Sequence, residues 1–230
     1  MTGAAGAAGA AGAAGAAAMY TIGHSTRPIE EFIELLRAQG ITQVADIRTI
    51  PRSRHNPQFE QDALRRALAD AGIGYVHLKA LGGLRHSRKD SLNKGWRNQS
   101  FRNYADYMQT SEFTQGLEEL LRFAAEGPEV AEAPEVAAGA EKLEVAARAE
   151  APEIPGRPEG PTAIMCAEAV PWRCHRSLVG DALLVRGVEV LDIIGPGVPK
   201  PHRMTKFAVV DGLEITYPED SSTPHSSAGE

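Results

Sequence analysis

The sequence predicts an α/β fold, with one domain built on a mostly parallel sheet that has helices on both faces. From Met19 onward, short apolar runs typical of strands alternate with segments of helical periodicity. Glycine or proline stands at most of the junctions between them. This alternation favours parallel strands joined by helical crossovers.

The first strand is predicted at Tyr20–Gly23, and a helix follows it. Thr26 is a suitable N-cap, Pro28 stands at about the first helical position, and Gly40 ends the helix. The second strand is predicted at Thr42–Ile47.

The middle of the chain continues the pattern. A second helix is predicted from Pro57 or Gln58 through Ala71, and a third strand at Gly74–Leu78. Aromatic and apolar side chains at helical spacing predict one or two helices over residues 98–124.

The alternation resumes after residue 161. The pattern there predicts a strand at Thr162–Met165, a helix at Cys174–Arg186, a strand at Val188–Ile194, and a hairpin of Phe207–Val210 and Leu213–Thr216 joined by Asp211-Gly212.

Three segments lack a core pattern and are predicted to be disordered: the Gly/Ala repeat 1–18, the Pro/Glu/Ala-rich segment 125–161, and the tail 219–230. A domain boundary at 125–161 would leave only about 57 residues behind it, which is marginal for independent folding. We therefore expect one domain over 19–218, interrupted by an acidic insert. The Gly/Ala repeat is either a tail without function or a stretch that precedes a translation start at Met19.

The formal net charge of −6 does not describe the folded body. The insert carries −6 and the tail −3, so the rest of the chain carries +3. No apolar run approaches the ~20 residues that span a bilayer, and the N-terminus lacks the features of a secretory signal. Two cysteines do not make a disulfide scaffold, which favours the reducing cytoplasm.

Polar side chains follow four of the predicted strands. In open parallel sheets, ligands bind beyond the carboxyl ends of the strands. The residues predicted at that edge are His24 and Ser25, then Asp46, Arg48 and Arg52, then Gly82 and Gly83, and finally Cys166 and Glu168.

The run from Cys166 to Arg176 is the richest in chemistry. A cysteine in a strand-to-helix loop beside guanidinium groups favours a nucleophilic thiolate, with His24 and His175 as proton carriers and Glu168 as a base or salt-bridge partner. Arg48, Arg173 and Arg176 are predicted to bind phosphate, and Asp46 to orient one of them.

Two other interpretations of the segment from Cys166 to Arg176 stay open. Cys166, Cys174 and His175, with His24 or His77, would supply soft ligands for zinc or iron. Alternatively, both cysteines are simply buried. The first hypothesis is therefore an enzyme, either cysteine-dependent or metal-dependent, whose reaction the sequence does not name; the buried-cysteine alternative stays open.

Residues 48–102 carry a net charge of +8, with Phe59, Trp96 and Phe101 interleaved. Such a patch suits phosphate-rich partners, and Trp96 could stack on a base. We therefore expect an anionic small molecule or a nucleic acid as partner, and no membrane. The competing hypotheses are a non-catalytic nucleic-acid-binding accessory domain and a scaffold whose acidic insert recruits a partner.

Four motifs together resemble the family called domain of unknown function 488: Tyr20-Thr21-Ile22-Gly23-His24-Ser25, Asp46-Ile47-Arg48 with Pro51, Leu81-Gly82-Gly83, and Cys166-Ala167-Glu168 with Arg173-Cys174-His175-Arg176. The resemblance covers 19–124 and 162–217. It implies a single α/β domain that starts near Met19 and normally has a shorter connection in place of 125–161. The family has no established reaction, although a connection with DNA repair is sometimes attached to it.

Overall fold

A computed structural model describes residues 18–126 and 160–219. The disorder predicted for residues 1–18, 125–161 and 219–230 therefore falls almost entirely outside the described residues. Within these ranges the chain forms the predicted α/β architecture, with a six-stranded sheet and five helices. None of these helices is long and apolar enough to cross a membrane.

The main sheet has the strand order β3-β2-β4-β1-β5-β6, in which all neighbours are parallel except β6. Its strands are β1 (Met19–Gly23), β2 (Gln43–Asp46), β3 (Gly74–His77), β4 (Thr162–Cys166), β5 (Val190–Ile193) and β6 (Lys200–Pro201). The edge strand β6 is only two residues long, and its pattern was too short for sequence analysis to detect.

The helices cover both faces of the sheet. They are α1 (Ile29–Arg37), α2 (Gln61–Asp70), α3 (Gln99–Tyr107), α4 (Ser111–Glu126) and α5 (Arg176–Val185). Apolar residues of α1 and α2 form one buried core with the sheet, and those of α3, α4 and α5 form the other. This arrangement buries the central strands β2 and β4 completely.

Several predicted boundaries shift for physical reasons. The predicted helix from residue 57 or 58 to residue 71 is a short 3₁₀ turn at Pro57–Phe59 followed by α2, with Glu60 extended between them. The carbonyl of Phe59 accepts a hydrogen bond from Arg48 Nη1 instead of continuing a helix. The late hairpin forms a separate two-stranded sheet of β7 (Val209–Asp211) and β8 (Glu214–Thr216), so its turn lies at residues 212–213.

The strand order creates a crevice between β1 and β4. From β1 the chain crosses through α1 to β2 on one side, whereas from β4 it crosses through α5 to β5 on the other. Because α1 and α5 lie on opposite faces, the loops after these adjacent strands separate. Such a switch point is where open α/β sheets bind ligands.

His202 ties the C-terminal segment to the sheet. Its Nδ1 lies 3.0 Å from Asp192 of β5, and its Nε2 lies 3.2 Å from Asp181 of α5. Asp181 also accepts a hydrogen bond from the Tyr217 hydroxyl. Burial by itself opposes protonation of His202, but hydrogen bonds and attraction from the two carboxylates outweigh it and raise the pKa of His202 to about 9.

Protein stability is therefore expected to fall at alkaline pH. A histidine whose folded pKa is raised contributes stability that is complete below its unfolded pKa and is lost as pH rises through about 9. Between pH 7 and pH 10 the loss in free energy of unfolding should be on the order of 2 kcal/mol. Urea unfolding of the wild-type protein and of His202→Gln across this pH range measures the loss, which should be smaller in the variant. Equal pH dependence in the two proteins would contradict the assignment.

Candidate functional site

A cavity of about 720 Å³ opens at the switch point, beyond the carboxyl ends of β1, β2 and β4. Its wall combines residues from four separate loops: His24, Ser25 and Thr26; Arg48, Thr49, Ile50, Arg52, Ser53 and Asn56; Gly83 and Leu84; and Cys166, Ala167, Glu168, Ala169, Arg173, Cys174 and His175, with Ser100 and Phe101 of α3. The polar strand ends predicted from sequence thus meet at one place.

Two cysteines and one histidine form a compact cluster in this wall. His175 Nδ1 lies 3.9 Å from Cys166 Sγ and 3.8 Å from Cys174 Sγ, and the three atoms all lie within 4.8 Å of one another. Cys166 ends β4, while Cys174 and His175 immediately precede α5. The strand and the helix therefore hold the cluster from both sides of the loop 167–173.

The orientation of His175 follows from its other ring nitrogen. Nε2 lies 3.1 Å from the carbonyl oxygen of Ile47. A carbonyl can only accept, so Nε2 carries a proton. In the neutral ring Nδ1 then presents its lone pair to the two sulfurs, and in the protonated ring it donates to them and stabilises a thiolate. His175 can therefore accept a proton or bind a metal ion at Nδ1.

The two thiols have unlike environments. The pKa of Cys174 lies well below its usual value, mainly because Cys166 donates a hydrogen bond to its sulfur. His175 and Arg176 lower this pKa further, and together these effects outweigh burial, which raises it. The same hydrogen bond and burial raise the pKa of Cys166. We conclude that the cluster favours a thiolate on Cys174 rather than on Cys166, where sequence analysis expected it.

His24 is less suited to proton transfer than its position suggested. Its Nδ1 donates to the Ser25 carbonyl at 2.8 Å, and Nε2 faces Arg48 Nη1 at 3.3 Å. Its ring stacks on Phe59 with centroids 4.3 Å apart. Burial is the main reason that the pKa of His24 falls to about 4, so the ring is neutral and both nitrogens have partners.

Asp46 was predicted to orient one of three arginines, and in the structure it binds Arg48. Both residues are buried, and Arg48 Nε and Nη2 bind the Asp46 carboxylate at distances down to 2.6 Å. The backbone N–H of Arg48 and the hydroxyl of Tyr75 also donate to this carboxylate. Arg48 thus joins the cavity wall as a fixed positive group rather than as a free anion ligand.

Arg176 also stands beneath the site rather than in its wall. Its side chain is fully buried, and its Nη1 and Nη2 donate to the carbonyl oxygens of Glu168 and Ala169. These bonds hold the loop after β4 against Gly23, where a Cβ atom would overlap the Glu168 carbonyl. Arg176 is therefore a positioning residue for this loop.

Two cations of the wall are free. Within the described ranges, the guanidinium groups of Arg52 and Arg173 have no hydrogen-bond or ion-pair partner, and both residues are exposed. The backbone N–H groups of Glu168 and Ala169, in the loop after β4, also have no acceptor within the described residues. Such free donors are what an anionic group needs.

Ser25 is held in an unfavourable backbone conformation at the cavity. Its φ of 51° is the one positive value at a non-glycine residue in the part of the chain that the structure describes. Hydrogen bonds from the amides of His24 and Ser25 to the carbonyls of Cys166 and Ala167 impose this turn. Strain of this kind is concentrated at functional sites.

The structure therefore assembles most of the predicted site residues and separates a few. His24, Ser25, Arg48, Arg52, Gly83, Glu168, Arg173, His175 and both cysteines line the cavity. Asp46 and Arg176 lie behind it, and Gly82 packs against Thr49. Trp96 lies elsewhere, with its ring packed on Phe101 and Phe207 at centroid distances of 4.7 and 4.9 Å.

Sequence analysis did not detect several uncharged residues of the wall, namely Thr26, Thr49, Ile50, Ser53, Asn56, Leu84 and Ser100. Most of them lie in the loops that follow predicted strands. Loop position was therefore the available signal, but their side-chain types carry no distinctive chemistry.

A family model described as "Domain of unknown function DUF488" matches residues 28–131. No curated protein and no solved structure matches the chain significantly. The matched range contributes Arg48, Gly83 and the loop between β2 and α2 to the cavity, whereas the Cys166–Arg176 run lies beyond it. The resemblance is thus confirmed over residues 28–131, which match the model of the DUF488 family.

Proposed function

We propose that the protein is an enzyme that binds a phosphate-bearing substrate, of the size of a nucleotide, in the cavity between β1 and β4. The observation that carries this proposal is the placement of a reactive Cys/His cluster in the same wall as two unpartnered arginines. Enzyme sites combine a few convergent polar groups with titratable residues of perturbed pKa.

The charges of the cavity favour an anion. Three arginines and one glutamate belong to the wall, and the glutamate, Glu168, is exposed at the rim. Asp46 neutralises Arg48, so Arg52 and Arg173 supply the available positive charge. Guanidinium groups bind phosphate oxygens through paired hydrogen bonds, which also orient the substrate.

The cluster supplies the chemistry in this proposal. Cys174 has the lower thiol pKa, and His175 Nδ1 lies 3.8 Å from its sulfur with its lone pair directed there. A substrate held by Arg173, one residue earlier in the chain, would place its reacting group beside both. The general base would then be His175 rather than His24, whose ring nitrogens are both engaged.

Arg173→Gln is expected to weaken binding of pyrophosphate or adenosine monophosphate by at least about tenfold, because a charge-assisted pair is lost. Isothermal titration calorimetry on the full chain measures the affinity. Arg122→Gln, at an exposed arginine of α4 outside the cavity, is the matched control. Equal affinities in the wild-type protein and the Arg173 variant would contradict the proposal.

The enzymatic part of the proposal needs a separate measurement. The full chain is incubated with nucleoside mono-, di- and triphosphates and with single-stranded oligonucleotides, and products are separated chromatographically. Turnover that disappears in Cys174→Ser is the expected result. Turnover that persists in that variant would exclude the cluster as the reactive centre.

A surface feature favours the accessory-domain alternative. Trp172 is 64% exposed and, with Lys200, Arg203 and Lys206, lines a second groove of about 560 Å³. Exposed aromatic rings among cations suit single-stranded nucleic acid. Salt-sensitive oligonucleotide binding that requires Trp172, without any turnover, would favour this alternative over an enzyme.

A further inference from the structure

We propose that Cys166, Cys174 and His175 bind one Zn²⁺ ion, with the fourth coordination position facing the cavity. The inference concerns the same cluster as the proposed function and rests on its cavity. A bound ion would take up the Cys174 sulfur and the Nδ1 lone pair of His175, so it would supply the chemistry in place of the Cys174–His175 pair. Its test needs no substrate. Three observations support it: the spacing of the ligand atoms, the support behind His175, and the close approach of Gly83 to its ring.

The spacing fits tetrahedral coordination. Zinc–sulfur bonds of about 2.3 Å and zinc–nitrogen bonds of about 2.0–2.1 Å place tetrahedral ligand atoms roughly 3.5–3.8 Å apart. His175 Nδ1 lies 3.9 and 3.8 Å from the two sulfurs, and no pair of the three atoms is more than 4.8 Å apart. The two sulfur–nitrogen distances are within a few tenths of an ångström of the values that a bound ion requires.

The imidazole is already prepared as a ligand. Metal-binding histidines donate their other ring N–H to a carbonyl or carboxylate, which fixes the tautomer and the ring orientation. Here Nε2 donates to the carbonyl of Ile47, whose own amide donates to Met165 of β4. The partner is therefore part of the backbone bonding that extends the sheet beyond β2.

Gly83 lets the backbone pass close over the face of the His175 ring. A Cβ atom at this position would lie 2.5 Å from His175 Nδ1 and 2.9 Å from both Cγ and Cε1, over the face of the ring, and would displace the ring. The absence of a side chain at Gly83 therefore leaves the imidazole in the orientation that directs Nδ1 to the sulfurs.

The ligand types select among metals. Two thiolates and an imidazole suit zinc better than magnesium or calcium, which prefer oxygen ligands. Both sulfurs would bind as thiolates, with release of any thiol proton still present, and the two negative charges would neutralise the charge of the ion. Three protein ligands with an open position are typical of catalytic zinc, which lowers the pKa of a bound water.

Metal analysis of the full chain tests the proposal without a substrate. Protein purified under reducing conditions without a histidine tag should contain about one zinc per chain, or take up one equivalent after metal removal. Co²⁺ added to the metal-free protein should produce the intense visible bands of a tetrahedral thiolate site. Cys166→Ser and Cys174→Ser should each lose both signals, whereas His86→Gln, at an exposed histidine outside the cavity wall, should retain them.

Gly83→Ala is more informative than the two serine variants because it disturbs the orientation of His175 without removing a ligand. Zinc affinity in competition with a chelator should fall about 10–100-fold, the loss typical when ligand orientation is disturbed. Gly195→Ala is the matched control, since a Cβ there meets no atom within 4 Å. Circular dichroism of each variant confirms that it is folded.

Three outcomes would overturn the proposal. The first is wild-type protein that binds neither zinc nor cobalt with both thiols reduced, and the second is binding that survives in both serine variants. The third is stoichiometric iron or copper that zinc does not displace. In any of these cases, anion binding that depends on Arg173, measured in the metal-free protein, would leave the substrate-binding part of the proposed function standing, and turnover that requires Cys174 would leave its chemistry standing.

Discussion

Asp46→Ala is expected to lower the free energy of unfolding by about 3–5 kcal/mol, because it leaves the buried guanidinium of Arg48 without its counter-ion. Asp46 is fully buried and accepts hydrogen bonds from Arg48 and from the Tyr75 hydroxyl. Water cannot replace these bonds unless the loop after β2 opens. Urea unfolding followed by circular dichroism measures the effect.

A double-mutant cycle isolates the interaction energy between Asp46 and Arg48 from the effects of the residues around them. Arg48→Met removes the charge but keeps much of the apolar stem, and Asp46→Leu/Arg48→Met removes both charges. The double variant should be markedly more stable than Asp46→Leu alone, because the cost comes from the unpaired charge rather than from the missing carboxylate. If the stability loss in the double variant equalled the sum of the losses in Asp46→Leu and Arg48→Met, the two residues would act independently.

The same cycle bears on the site. Arg48 Nη1 holds the Phe59 carbonyl and faces His24, so its loss should loosen two of the loops that form the cavity wall. In the Cys166–Cys174–His175 cluster, His175 is instead hydrogen-bonded to the backbone carbonyl of Ile47, directly after β2. Stability and anion affinity should therefore fall together in Arg48→Met, while zinc content should change little.

The alternation of strands and helices was predictable because it is a local property. Each helix carries its buried residues at helical spacing, as Phe32, Leu35 and Leu36 do in α1. The strand order was beyond the sequence analysis, because a short run such as Thr162–Cys166 does not specify its neighbours. The insertion of β4 between β1 and β2 is a tertiary result, and it is what creates the crevice.

The composition of the site was largely predictable, whereas the roles of its residues were not. Polar residues at the ends of parallel strands must share one edge of the sheet, so Cys166, Arg48 and Ser25 were expected together. Whether an arginine is free or bonded depends on side-chain packing. Arg173 and Arg176 are three residues apart in sequence, yet one is exposed and the other is fully buried.

Cys174 shows the same difference between composition and role. Sequence analysis placed it in a helix, but α5 begins only at Arg176. Cys174 is extended, with φ of −135° and ψ of 142°, and its thiol lies beside His175. Because the helix begins two residues later than predicted, Cys174 lies in the loop before it and its thiol joins the cluster.

Gly23→Ala is expected to cost about 3 kcal/mol or more, because the strand end and the loop after β4 cannot both keep their positions. The new Cβ would overlap the Glu168 carbonyl and come within 2.8 Å of Arg176 Nη1, so the loop must move and the buried guanidinium loses its acceptors. Gly195→Ala should change stability by less than about 0.5 kcal/mol.

The loop after β4 carries the free amide groups and leads to Arg173, so we also expect Gly23→Ala to weaken pyrophosphate binding more than it weakens zinc binding. Calorimetry with each ligand compares the two effects. Since the Cys166 and His24 backbones are bonded to each other at the same strand ends, equal losses for both ligands would mean that the loop and the cluster move as one unit. Unchanged stability would show that Gly23 does not hold the loop at all.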